Sequence, residues 1–313
     1  MRPLVSVIVP VYNAAVFVEN FYEMINKQSL NEIEVVFIDD CSTDNSKIVI
    51  KSLIDKDKRI KAFFQPVNSG PMCAREIGYQ HATGQYLAFC DVDDEMPINA
   101  LELLYNKALS TNADIVAGTI EYQKMDGTKE LWVSKLSYGS DRMSAFKSLL
   151  TYEYRHNLCA KLFSRSLFDS ISYKTISGLR YFEDYLLLYQ LVYNSTILET
   201  ISNTVYYYVQ NSTSSTQLQM SAKRIECAFI AWSRVYELLR DEGSIAKELH
   251  SNLQSFIFEL YYKGYNKEGL LDRLVQTYKL DEIVTVKDII RNNSFKNASK
   301  LIVKKYIRLI HWN

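Results

Sequence analysis

The sequence predicts an α/β fold: a doubly wound, mostly parallel sheet followed by a C-terminal helical appendage. Three observations carry this. Short apolar runs alternate with amphipathic stretches through the first 120 residues. The first run is apolar at every position but Ser6, as a strand covered on both faces should be. Helical periodicity then continues from about residue 220 to the end. Strand, helix, strand, helix in this order places neighbouring strands parallel, joined by crossovers.

Residues 4–9 form the first strand, and Phe17, Phe21, Met24 and Ile25 recur behind it at helical spacing. Residues 33–38 form a second strand, closed by Asp39, Asp40, Cys41, Ser42, Thr43 and Asp44, a cluster of turn and helix-capping residues. A helix carrying Ile48, Val49, Leu53 and Ile54 follows. Residues 60–64 make a third strand, Asn68 to Pro71 a turn, and 72–82 a helix that ends near Gly84. The fourth strand, 86–90, runs into Asp91, Val92, Asp93 and Asp94; a helix at 101–108 and a strand at 114–120 come next. Beyond 121 the pattern loosens into a helix at 141–150, a strand at 157–163, a helix at 183–193 and a strand at 205–209. A Ser/Thr-rich link after Asn211 sets a boundary near 215, dividing a domain at 1–215 from a helical region at 216–313.

Composition narrows the function classes. Thirty-six basic residues balance 36 acidic ones, which argues against a nucleic-acid binder with a wholly basic surface. The five cysteines form no CxxC pair or Cys/His cluster, so a structural zinc site is not expected. The four histidines show no ligand spacing, and no GxSxG marks a hydrolase nucleophile. The chain has no apolar run of 18 residues, and Pro10 interrupts the N-terminal run, which therefore reads as a core strand. A cytoplasmic protein is the expectation.

In an open α/β sheet, ligands bind outside the carboxyl ends of the strands. Acids stand at two such ends: Asp39 and Asp40 after the second strand, and Asp91, Asp93 and Asp94 after the fourth. Crowded carboxylates repel one another unless a positive group joins them, and a hard divalent cation shared with a diphosphate is the economical partner. For Asp44 the capping role is the better reading. For Asp91 and Asp93, directly after the apolar YLAFC, a metal is. Taken alone, Asp184 reads as an acid at a helix N-terminus.

The stretches SVIVPVYN, EVVFIDDCSTDNS and NSGPMCAREIGYQHATGQYLAFCDVDDE occur in that order, followed by the 157–163 element, Phe182-Glu183-Asp184 and YYYVQNSTSST. Together they resemble the family 2 glycosyltransferases of the bacterial polysaccharide type, with the GT-A fold. The resemblance covers roughly the first 215 residues. It implies a nucleotide-binding half at 1–120 and an acceptor-side half at 121–215. Pro10 and Tyr12 match the loop that lies against the nucleoside base; Asp40 matches the acid that binds the base, with Asp39 supporting the loop. Arg75 matches an arginine near the nucleotide. Asp91 and Asp93 match the DxD motif that holds Mn²⁺ or Mg²⁺, with Asp94 a close or alternative ligand, and Asp184 matches the catalytic base.

The implied activity is metal-dependent, inverting transfer of a hexosyl or N-acetylhexosaminyl group. The donor would be a nucleotide sugar, a UDP-sugar for preference, and the acceptor a saccharide or lipid-linked saccharide in surface polysaccharide synthesis. The alternative is a non-catalytic sugar-nucleotide or saccharide-binding scaffold, against which intact Asp91, Asp93 and Asp184 speak.

The chain also departs from the family pattern. Cys41 stands where Gly is common, Glu76 replaces an Asn, and an aromatic is missing before Lys161, Leu162 and Phe163. Lys161 reads as a solvated lysine, with an acceptor phosphate as the other option, and His156 is a plausible acceptor-side residue. In the tail, Lys296, Lys300, Lys304, Lys305 and Arg308 flank an apolar helical stripe ending at Trp312. Residues 296–313 therefore suit peripheral contact with an anionic inner membrane face, or docking on the protein's own domain.

Overall fold

The structure, a computed structural model, describes residues 2–171, 176, 179–210 and 220–280. The Ser/Thr-rich link and the basic tail at 296–313, with its expected membrane contact, lie outside the described residues. The chain divides into two compact units, Met1–Gln210 and Asn211–Asn313.

The first unit alternates β1 (Val5–Val11), α1 (Ala15–Asn26), β2 (Ile33–Asp39), α2 (Ser46–Lys56), β3 (Ile60–Phe64), α3 (Pro71–His81), β4 (Tyr86–Phe89) and α4 (Ala100–Thr111). It continues through β5 (Ile115–Gln123), β6 (Lys129–Trp132), α5 (Arg142–Leu150), β7 (Lys161–Ser164), α6 (Arg165–Ser170), α7 (Glu183–Asn194) and β8 (Leu198–Val209). One sheet runs β3-β2-β1-β4-β7-β5-β6, with β8 paired to β5. The β1–β4 block is parallel, as expected, while β7 runs antiparallel to both β4 and β5.

The apolar character of β1, interrupted by Ser6, has the anticipated cause: Val5, Val7, Ile8 and Val9 are fully buried, with side chains on both faces of the sheet covered. Each contributes about 1.5–3 kcal/mol by leaving water. Helix α3 approaches the sheet so closely that a Cβ on Gly78 would lie 2.4 Å from Ile8 Cγ2 and 2.7 Å from Ile38 Cδ1. At the opposite end of the strands from the Asp clusters, buried Glu34 gathers Ser6, Thr83 and Lys61 Nζ, the last at 2.6 Å.

Several elements differ from the sequence reading; helix α6, for one, has no counterpart in it. The 157–163 strand begins only at Lys161, because Ala160 adopts φ +58° and turns the chain just before it. β8 begins well before residue 205; Glu199, Ser202 and Asn203 obscure its alternation. β6 was not anticipated, since three of its four residues are exposed.

The second unit holds α8 (Ala222–Leu239), α9 (Gly243–Tyr262) and α10 (Leu270–Thr277). Ser221 caps α8 by accepting the Arg224 N–H at 3.3 Å. Trp232 and Phe229 of α8 meet Phe256 of α9. Among the described residues, no helix is long and apolar enough to cross a membrane.

Candidate active site

The carboxyl ends of β1 and β2 lie side by side, with Val11 paired to Asp39. The loops that follow are bonded to each other. Asn13 Oδ1 accepts the Thr43 N–H at 2.8 Å, and the Asn13 N–H donates to Ser42 Oγ at 3.0 Å. Asp44 accepts the Ala15 N–H at 3.0 Å and the Ser46 N–H at 2.9 Å, so it caps the first turns of α1 and α2 together. This frame leaves Pro10 half-buried and the Tyr12 ring 51% exposed at the edge.

The two acids after β2 divide their work. Both oxygens of Asp40 are engaged by the loop after β3: Oδ1 accepts from Gln65 Nε2 and the Ser69 N–H, and Oδ2 from the Gly70 N–H, each at 2.8 Å. The loop-supporting bonds expected of Asp39 are thus made largely by Asp40. Asp39 accepts the Ser42 N–H through Oδ2 at 3.2 Å, while its Oδ1 is buried without a hydrogen-bond partner. Cys41 sits beside them at φ +62°, a left-handed conformation that explains why glycine is common at this position.

The second cluster joins three distant segments. Arg75 of α3 donates from Nη1 to Glu183 Oε1 at 2.9 Å and from Nη2 to Asp91 Oδ1 at 3.3 Å. The Asp91 side chain is 45% exposed, while those of Arg75 and Glu183 are nearly covered. Asp94 instead turns inward: Oδ1 accepts the Val209 N–H at 3.2 Å, and the buried carboxyl also meets the Tyr206 hydroxyl. Desolvation, then repulsion from Asp91 and Asp93, pushes its carboxyl well above the usual range. Among the described residues, no three His, Cys, Asp or Glu side chains stand together as a metal-binding group. The expected trio of Asp91, Asp93 and Asp94 is therefore not gathered as a ligand set, because Asp94 is drawn onto β8.

Phe182 precedes α7 at φ +63°, an uncommon conformation for a bulky residue that aims the helix's first two acids back toward Arg75. Asp184 Oδ1 accepts the Tyr185 N–H at 2.8 Å. Desolvation raises the Asp184 carboxyl; Arg75 and the Tyr185 amide pull it back, and Asp91 adds repulsion. Burial, then repulsion from Asp184, raises Glu183 as well, against the pull of Arg75. The fold thus brings Arg75, Asp91 and Asp184 into one electrostatic neighbourhood. Glu183 is a member that sequence reasoning overlooked, although it stands beside Asp184 in the same motif.

Lys161 is not solvated. It is 2% exposed, donates from Nζ to the Asn157 carbonyl at 2.6 Å and lies over the Tyr154 ring. Burial pushes its pKa down to about 7. His156 stacks on Tyr185 at 4.5 Å, and burial holds it neutral, with a pKa of about 3. Cys159, where the family's aromatic is missing, receives a hydrogen bond from Asn157 Nδ2 at 2.9 Å.

A nucleotide-type α/β domain with acids at the carboxyl ends of its parallel strands is the class this geometry defines. The family model described as "Glycosyl transferase family 2" matches residues 6–171, and the chain belongs to that family. It is 27% identical over 222 residues to glycosyltransferase GlyG of Streptococcus pneumoniae, covering 68% of this chain and 72% of that one. It is 26% identical over 309 residues to a cholesterol galactosyltransferase of Borreliella burgdorferi, covering 93% and 84%. An uncharacterized glycosyltransferase of Haemophilus influenzae is 40% identical over 127 residues, 41% of this chain and 51% of its own. The chain thus spans about half the length of that relative. Among solved structures, residues 1–349 of S. aureus TarS with UDP-GlcNAc superpose at TM-score 0.73 and 17% identity, covering 96% of this chain and 92% of that one. At that identity the likeness shows the GT-A fold alone.

Proposed function

We propose that the chain is an inverting glycosyltransferase that moves a sugar from a nucleotide-sugar donor to a saccharide or lipid-linked saccharide acceptor in bacterial glycan synthesis. The observation that carries this is the convergence of Arg75, Asp91 and the first turn of α7 at the carboxyl end of the sheet. The TarS structure with UDP-GlcNAc favours UDP as the nucleotide. On this reading 1–215 is the transferase domain, and 216–313 is its helical appendage.

Exposed Tyr12 offers an apolar face to the base, at the edge of the loops that Asp39 and Asp40 brace. Asp184 takes the proton from the acceptor hydroxyl as that oxygen bonds to the anomeric carbon. On the opposite face, the bond from that carbon to the diphosphate oxygen breaks, and configuration inverts. Desolvation, which raises Asp184, makes it a better base than a solvated aspartate. Arg75 adds positive charge where the diphosphate leaves.

The carboxylate oxygens of Asp91 and Asp93, one of them near the surface, fit a hard divalent cation whose other ligands come from the diphosphate. A structurally similar mannosyltransferase, PcManGT from Pyrobaculum calidifontis, is known with GDP-Man and Mn²⁺, at TM-score 0.56 and 14% identity, over 90% of this chain and 87% of that one. Mn²⁺ or Mg²⁺ held there would offset charge on the leaving group.

The test is a thermal-shift panel of nucleoside diphosphates and nucleotide sugars, each with and without Mn²⁺. A metal-dependent rise of a few degrees with UDP compounds, lost in Asp93→Ala, supports the donor site. A flat panel on folded protein counts against it and favours a saccharide-binding scaffold.

A further inference from the structure

The turn that carries Asp91 is fastened to β8 at both ends. Tyr206 Oη accepts the Asp91 N–H at 3.1 Å. Glu95 and Tyr207 exchange two backbone bonds, at 3.2 and 2.8 Å. Between these, Asp94 Oδ1 accepts the Val209 N–H. The backbone bridge at Glu95 and the Asp94 side chain secure the far end of the turn. At the Asp91 amide, the contact to β8 is the Tyr206 hydroxyl.

Tyr206 is built to hold that position. It is 1% exposed, so water does not compete for the hydroxyl. Its strand is set by register, Tyr206 opposite Ile120 and Tyr208 opposite Tyr122. The aromatic ring therefore reaches Asp91 from a rigid sheet rather than from a loop. The carboxylate of the same aspartate is held by Arg75, so Asp91 is gripped at its amide from β8 and at its side chain from α3.

We propose that Tyr206 is a positioning residue for the donor site: its buried hydroxyl fixes the Asp91 amide and so sets the direction in which the Asp91 carboxylate meets a nucleoside diphosphate and its divalent cation. This rests on the nucleotide-sugar reading above. Removing the hydroxyl, which also hydrogen-bonds the buried Asp94 carboxyl, leaves the ring's packing intact but frees the near end of the turn.

The decisive variant is Tyr206→Phe in the full chain, which removes one oxygen. Titration calorimetry with UDP and MnCl₂ should show binding weakened about three- to tenfold. Amide hydrogen exchange across 91–95 should speed up. The matched control is Thr119→Val, which removes a hydroxyl bonded to the Ser202 carbonyl at 3.1 Å in the same pair of strands. It should keep UDP affinity and leave exchange at 91–95 unchanged. Unchanged UDP affinity in Tyr206→Phe overturns the proposal, as does an equal loss in Thr119→Val. If the unmutated protein binds no nucleoside diphosphate, the nucleotide reading falls; unchanged exchange at 91–95 in Tyr206→Phe would then overturn the clamp as well.

Discussion

Arg75 Nη1 lies 2.9 Å from Glu183 Oε1, an ion pair that ties α3 to the first turn of α7 across 108 positions of sequence. Both side chains are nearly covered, so neither charge has water as an alternative partner. The same guanidinium reaches Asp91, so Arg75 joins the acidic turn after β4 to the first turn of α7.

Removing one member of such a pair leaves a buried charge uncompensated. Arg75→Ala should destabilise the protein by about 3 kcal/mol. The double variant with Glu183→Ala should lose less than the sum of the two single changes, since the orphaned carboxylate is gone. Urea denaturation of all four proteins measures this, and strict additivity would show that the two residues do not act as a pair.

Asp184→Asn keeps the size of the side chain and its hydrogen bond from Tyr185, but it removes the proton acceptor. Transfer should fall by about 10²–10⁴-fold with nucleotide affinity retained. Nucleotide binding and turnover are measured on the same preparation. Unimpaired turnover would take Asp184 out of the mechanism.

Glu34 supplies a pH dependence whose sign follows from its partners. Desolvation raises its carboxyl, but hydrogen bonds from Lys61, Ser6 and Thr83 outweigh it and leave the pKa below the ordinary glutamate value of 4.5. The folded state thus favours the charged form. Its contribution is fully present above about pH 4.5 and is lost as pH falls through the lower folded value. Glu34→Gln should cost roughly 1–3 kcal/mol at neutral pH and flatten the acid limb of stability. Denaturant midpoints from pH 3 to 7, at ~0.5-unit steps, test both statements.

Cys41 occupies a left-handed backbone conformation, φ +62°, with only a long contact from Sγ to the Pro66 carbonyl at 3.5 Å to hold it. Cys41→Gly should relieve the Cβ clash and stabilise by about 1 kcal/mol, raising the midpoint by roughly 2–4 °C. A scanning calorimetry trace showing a lower midpoint would mean that the thiol contact matters more than the strain.

The sequence by itself determined the doubly wound order, the helix-capping role of Asp44 and the placement of Asp91 just past an apolar strand. These are local properties: period, caps and turn residues act over a few neighbouring positions. It also marked Cys41 as a departure, and the positive φ there supplies the physical meaning. Tertiary structure alone decided that Asp94 turns from the cluster onto Val209, that Asp40 holds the loop at 65–70, that Lys161 is buried against Asn157 and Tyr154, and that Glu183 pairs with Arg75. A buried polar group must find its partner wherever the fold puts one, and most of these partners lie far away along the chain. No local pattern encodes such distant pairings.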